Sequence, residues 1–154
     1  MKKKISLLSL AVFSLLSVTF AQSGAQDYQT AIGTKFYPGA ISLKHFVSPQ
    51  SALEGLASFW NQGSRFQALY EVHGDLNITD GLKWYFGGGA HVSFFKSAYG
   101  GVSPGIDGIL GLDYKFNNAP INISLDWNPS FELGDYSGSN FLGDWGGLAI
   151  RYVF

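Results

Sequence analysis

The chain has 154 residues, with 10 Lys and Arg against 11 Asp and Glu, three histidines and no cysteine. Without cysteine there are no disulfides, no thiol catalysis, no Cys-ligated zinc and no lipidated cysteine, and three histidines argue against a His-built metal site. A net charge of −1 gives no basic patch that would favour nucleic acid as a partner.

In chain order, Lys2, Lys3 and Lys4 precede an apolar run from Ile5 to Phe20, with Ala21 directly after it. A basic start, an apolar stretch and a small residue at its exit predict a secretory signal peptide over residues 1–21, with Ala25 as a second cleavage position. The run is shorter than the roughly 20 residues of a spanning helix. Losing the three lysines takes the net charge from −1 to −4. The mature part, residues 22–154, carries most of the 20 Gly, 13 Phe, 8 Tyr and 4 Trp, and its pattern is that of strands.

"YQTAIGTKFY" and "AISLKHFV" flank the turn signal Pro38-Gly39 and predict strands over 28–37 and 40–47. "SALEGLASFW" fits a helix by propensity and a strand by alternation; a strand over 51–60 with Glu54 inward brings the count to an even number. Clear period-2 patterns then predict strands over 65–75, 82–95, 105–116, 120–128 and 146–154. In "PINISLDWNP", for example, Ile121, Ile123, Leu125 and Trp127 alternate with Asn122, Ser124, Asp126 and Asn128. The mean hydropathy of +0.09 excludes a helical membrane protein, yet in a membrane barrel apolar and polar faces alternate and the average cancels.

Eight strands of about 9–11 residues predict an all-β fold, a single antiparallel up-and-down transmembrane β-barrel. Asn117-Asn118 makes a tight turn. "KSAYGGVSP" and "SFELGDYSGSNFLGDWG" read as long loops, and the Pro38-Gly39 turn falls on the same end as those loops. With the apolar parity toward lipid, the other parity predicts an ion-pair network in the lumen. It comprises Lys35, Lys44, Glu54, Arg65, Glu71, His73, Lys83, Asp107, Asp113, Lys115, Asp126 and Arg151. Six Lys or Arg meet five Asp or Glu there, nearly balanced as a filled lumen requires. Parity by itself does not say which face is inside: a secreted barrel that binds a small apolar ligand would invert it. Tyr28, Phe36, Trp60, Trp84, Trp127, Tyr152 and Phe154, all near strand ends, fit an interfacial girdle and favour the membrane.

"LAIRYVF", with Leu148, Ile150, Tyr152 and Phe154 on one parity, resembles the C-terminal assembly signal of bacterial outer-membrane proteins. "ALYEVH", "GLKWYFGGGAHV", "GIDGILGLDYKF" and "PINISLDWNPSF" resemble small outer-membrane barrel proteins of the Bacteroidetes type, loosely grouped as porin-like. That resemblance covers most of residues 27–154. It implies residence in the outer membrane, lipid contact and recognition by the barrel-assembly machinery, with the last strand closing against the first. The expected role is structural or surface-interacting, leaving weak pore activity open, and no loop partner is specified.

Three constellations could carry chemistry. His91 and Ser93 share a strand face, a spacing that resembles lipid A deacylases, whose site is completed by a glutamate shortly downstream. Here the next carboxylates are Asp107 and Glu132, far along the chain, so a lipid A-modifying enzyme is the lesser reading. "GGGAH" lacks the spacing of a phosphate loop and reads as close packing in a strand. Glu132, Asp135 and Asp144 lack the alternation of a calcium loop. The expectation is therefore no enzyme, no cofactor and no metal.

Overall fold

The computed structural model describes residues 28–37, 39–96, 101–134 and 140–154, so the signal peptide expected over 1–21 lies outside the described residues. Those residues form ten strands and no helix. They are β1 (Thr30–Lys35), β2 (Ala40–Ser48), β3 (Ser51–Trp60), β4 (Gly63–Asp75), β5 (Leu82–Phe95), β6 (Val102–Lys115), β7 (Ile121–Trp127), β8 (Ser130–Glu132), β9 (Phe141–Leu142) and β10 (Gly146–Val153).

The wall runs β5-β4-β3-β2-β1-β10-β7-β6, and β6 pairs back onto β5. This is a closed, antiparallel, up-and-down barrel of eight strands. β7 and β8 are two parts of one wall strand. Leu110 faces Trp127 and Asp107 faces Ser130 in the same register. The ladder is interrupted only at Asn128-Pro129, where proline has no N–H to give, although Gly108 N still donates to Pro129 O at 2.8 Å. β9 prolongs β10 in the same way with a one-residue shift: Trp127 faces Gly146, while Phe131 faces Phe141.

Within the segment "SFELGDYSGSNFLGDWG", read as a long loop, Ser130–Glu132 and Phe141–Leu142 are thus paired strands that extend the wall. Ser130, Phe131 and Glu132 keep the in-out-in alternation past the proline. Residues 51–60 are strand β3, paired along their whole length with β4. Ala, Leu and Glu favour a helix locally, but ladder partners on both sides override so small a preference.

Successive ladders are staggered, as closure of a sheet with tilted strands requires. The end that holds Thr30 and Phe154 also carries the turns at 49–50, 76–81 and 116–120. The opposite end carries the turns at 36–39 and 61–62, the β5–β6 connection and the β8–β9 hairpin. Long connections gather at that second end, but the short β1–β2 and β3–β4 connections share it.

Candidate functional site

The two faces of the wall differ in kind. Along the eight wall strands the outward parity carries no Asp, Glu, Lys or Arg. It presents Ile32, Ile41, Leu43, Leu53, Leu110, Leu112, Leu125 and Ile150, all exposed. Aromatic side chains flank this aliphatic band. Near the end of the termini lie Trp84 stacked on Phe86, Tyr114 against Phe116, and Tyr152 against Phe154. Toward the opposite end, Phe59, Phe66 and Phe94 meet edge to face across three strands.

The bore holds two polar clusters. In the one nearer the termini, Arg151 reaches from β10 across the interior. Its Nε donates to Ser42 Oγ at 2.7 Å, its Nη1 to Ser124 Oγ at 2.8 Å, and its Nη2 to Glu54 Oε1 at 2.5 Å. Lys44 Nζ lies 2.8 Å from Glu71 Oε2 and 3.7 Å from Asp113 Oδ1. It also sits 4.2 Å above the centre of the Tyr85 ring. Tyr85 donates to Asp126 at 2.7 Å, and Lys35 pairs with the same carboxylate. His73 stacks on Tyr85 with its Nε2 3.0 Å from Glu71.

The second cluster lies toward the other end. Arg65 donates from Nε to Ser93 at 2.9 Å and from Nη1 to Ser130 at 3.2 Å, and it pairs through Nη2 with Glu132. Its guanidinium carbon lies 3.8 Å over the Trp145 ring. His91 is held on both sides, Nδ1 at 2.9 Å from Asp107 and Nε2 at 3.0 Å from Glu132. Ser103 donates to Glu132 at 2.5 Å.

Apolar side chains separate and close these clusters. Leu56, Leu69, Ile109 and the Tyr85 ring pack together between them. Tyr28, Ala31, Phe46, Ala52 and Val153 pack across the bore at the end of the termini. At the other end Trp60 meets both Trp145 and Phe95 edge to face above Arg65.

Of the twelve residues predicted for the lumen network, Lys35, Lys44, Glu54, Arg65, Glu71, His73, Asp107, Asp113, Asp126 and Arg151 are buried in the bore. Lys83 and Lys115 sit at the rim instead. Lys83 lies 3.9 Å from the exposed Asp75, and Lys115 donates to the carbonyls of Phe116 and Ala119. They are the wall residues nearest the turns, so the alternation carries them inward while the end of the bore leaves them partly in solvent. Leu148, Ile150, Tyr152 and Phe154 all face outward.

Sequence reasoning missed Glu132, fully buried though assigned to a loop. It also missed the two carboxylates that bracket His91, which come together only when β6 and β8 pair. With Glu132 counted and the rim lysines left out, the expected near-balance becomes four buried Lys or Arg against six carboxylates. Both buried imidazoles lie on carboxylates of that set. Tyr28 and Trp60, expected in the outer girdle, point inward. Tyr28 packs on Phe46 and donates to Asp113 at 3.3 Å, because a partner for its hydroxyl lies inside. His91 has both ring nitrogens on carboxylates, Asp107 and Glu132, so neither is left to accept the Ser93 proton as a base would. Among the three suggested calcium ligands, Glu132 is inside the bore, Asp144 is exposed, and Asp135 lies outside the described residues. Compared with known proteins, the chain matches no family model, no curated protein and no solved structure.

Proposed function

We propose that this chain is an outer-membrane barrel with a structural or surface-interacting role and a sealed lumen that does not conduct. The observation that carries the reading is the sorting of charge: ten buried Lys, Arg, Asp and Glu side chains inside the bore, and none on the outer wall. In water such a wall would expose a continuous apolar surface far larger than the few hundred Å² that soluble monomers tolerate. In lipid it is the required surface, and the two aromatic zones fall where headgroups meet hydrocarbon. The polar, filled bore argues against a secreted carrier of a small apolar ligand, which would need an apolar cavity there. The hold of Asp107 and Glu132 on both nitrogens of His91 leaves Ser93 without a base and argues against a deacylase, so the proposal is of a non-enzymatic protein. The role then falls to the end opposite the termini, where the β8–β9 hairpin rises. By the resemblance to outer-membrane proteins, lipid and the assembly machinery are its partners during biogenesis.

Envelope fractionation with SDS gels of unheated and boiled samples tests residence. The folded barrel is expected in the outer membrane and to migrate faster unheated, because every wall strand is paired. Recovery of the mature chain in the soluble periplasm overturns the reading. In planar bilayers the refolded protein is expected to give no stepwise conductance, and well-resolved channel openings would overturn the sealed lumen.

A further inference from the structure

Seven of the eight wall ladders join strands that a turn or hairpin also links in sequence; β1–β10 alone has no such link. It is also the shortest, with five residue pairs from Ala31↔Val153 to Lys35↔Ala149, against six for β1–β2 and thirteen each for β4–β5 and β5–β6. Backbone bonds of Thr30 with Phe154 and of Phe36 with Leu148 continue it by one position at each end. A short ladder without covalent support is where local opening costs least.

The bore compensates for this. Arg151 stands opposite Gly33 in the β1–β10 ladder, and Gly33 stands opposite Ser42 in β1–β2. With no side chain at Gly33, the guanidinium passes over β1 and bonds Ser42 on β2 and Glu54 on β3. A Cβ built on Gly33 would lie 1.9 Å from Ile150 O, so the same glycine also allows the two backbones to approach. Two further ties cross the same line, Lys35 to Asp126 on β7 and Tyr28 to Asp113 on β6. Arg151 stands out among the three because its four hydrogen bonds span both sides of the ladder.

From this we infer that β1–β10 is a seam at which the closed barrel opens laterally, and that Arg151 is the latch that holds it shut from inside. The latch acts on the side chains of β2, β3 and β7, so it resists separation of strands that the short ladder alone would hold weakly.

Amide hydrogen exchange of the full chain refolded in detergent micelles tests the latch. Arg151→Gln, which keeps much of the length but not the charge, is expected to speed exchange in β1 and β10 at least tenfold while β4 and β5 change little. Arg65→Gln, which removes an equally buried cation from the other cluster, is expected to leave β1 and β10 unchanged. Uniform acceleration in all strands, or none at β1 and β10, overturns the latch. Should Arg151→Gln fail to refold, Thr34→Cys with Ile150→Cys carries the test of the seam. These residues are direct partners on the outer face, the antiparallel spacing admits a disulfide, and the chain has no other cysteine. Oxidation is expected to slow exchange selectively in β1 and β10, and an effect no larger there than in β4 and β5 overturns the seam.

Discussion

Arg65 on β4 and Glu132 on β8 pair inside the bore, 67 positions apart in sequence. Glu132 also receives the Ser103 hydroxyl and lies against His91, so one carboxylate ties four strands. Glu132→Lys is expected to destabilise the refolded barrel by about 3–5 kcal/mol, since it places a second cation beside Arg65 in a closed space. Asp80→Lys, in an exposed turn, is expected to cost about 0–1 kcal/mol. Urea unfolding midpoints of the two variants in lipid vesicles check the comparison, and equal midpoints would return Glu132 to solvent.

Glu54 and Arg151 carry the corresponding role in the other cluster. Arg151→Glu is expected to lose about 3–5 kcal/mol, because it adds a carboxylate to a cluster that already holds Glu54, Glu71, Asp113 and Asp126 and strips Ser42 and Ser124 of their donor. The same unfolding measurement reads it. Added salt is expected to restore little of the loss, as enclosed charges are poorly screened.

Leu112 and Asp113 are neighbours in β6 on opposite faces, one exposed and one buried. In a lipid-embedded wall, Leu112→Arg is expected to cost about 2–4 kcal/mol. In detergent micelles, where the guanidinium finds water more easily, the cost is expected to shrink. An equal and negligible effect in vesicles and micelles would show that this face does not meet hydrocarbon.

Tyr85 is the hinge between polar and apolar layers. Its hydroxyl serves Asp126, its ring carries Lys44 and His73, and its edge packs with Leu56, Leu69 and Ile109. Tyr85→Phe is expected to lose about 1.5–3 kcal/mol for one hydrogen bond to a charged acceptor, and Tyr85→Ala about 3–5 kcal/mol for the void as well. Similar midpoints for the two variants would show that the ring contacts matter little.

Much of this barrel was legible because period 2 is a strong signal wherever one face is buried: slipping a strand by one residue would turn Lys44 or Asp113 outward. Even the ambiguous segment 51–60 follows from the alternation of Ala52, Glu54, Leu56 and Ser58 once partners exist on both sides. The pattern was hidden where punctuation interrupts it. Pro129 and Gly134 suggest a loop, and the strand between them has only three residues, too few to show alternation, so Glu132 passed as solvated. The positions of Tyr28 and Trp60 were legible, but their direction was not. An aromatic near a strand end can face headgroups or seal a bore, and only the carboxylate within reach of Tyr28 and the partner rings of Trp60 decide it. The bracket around His91 depends on a register between β6 and β8 that no local spacing encodes.

The apolar layer of Leu56, Leu69 and Ile109 makes the interior modular. The ion pairs of the Arg65 set and those of the Arg151 set each lie on their own side of it, so the free-energy effects of substitutions in the two should add, with interaction energies within about 0.5 kcal/mol in a double-mutant cycle. Two charge puzzles stacked in one tube can then be rearranged one at a time. A sequence drifting under mutation could rewrite the set around His91 and Glu132 while the set that closes the wall at Arg151 stays as it is.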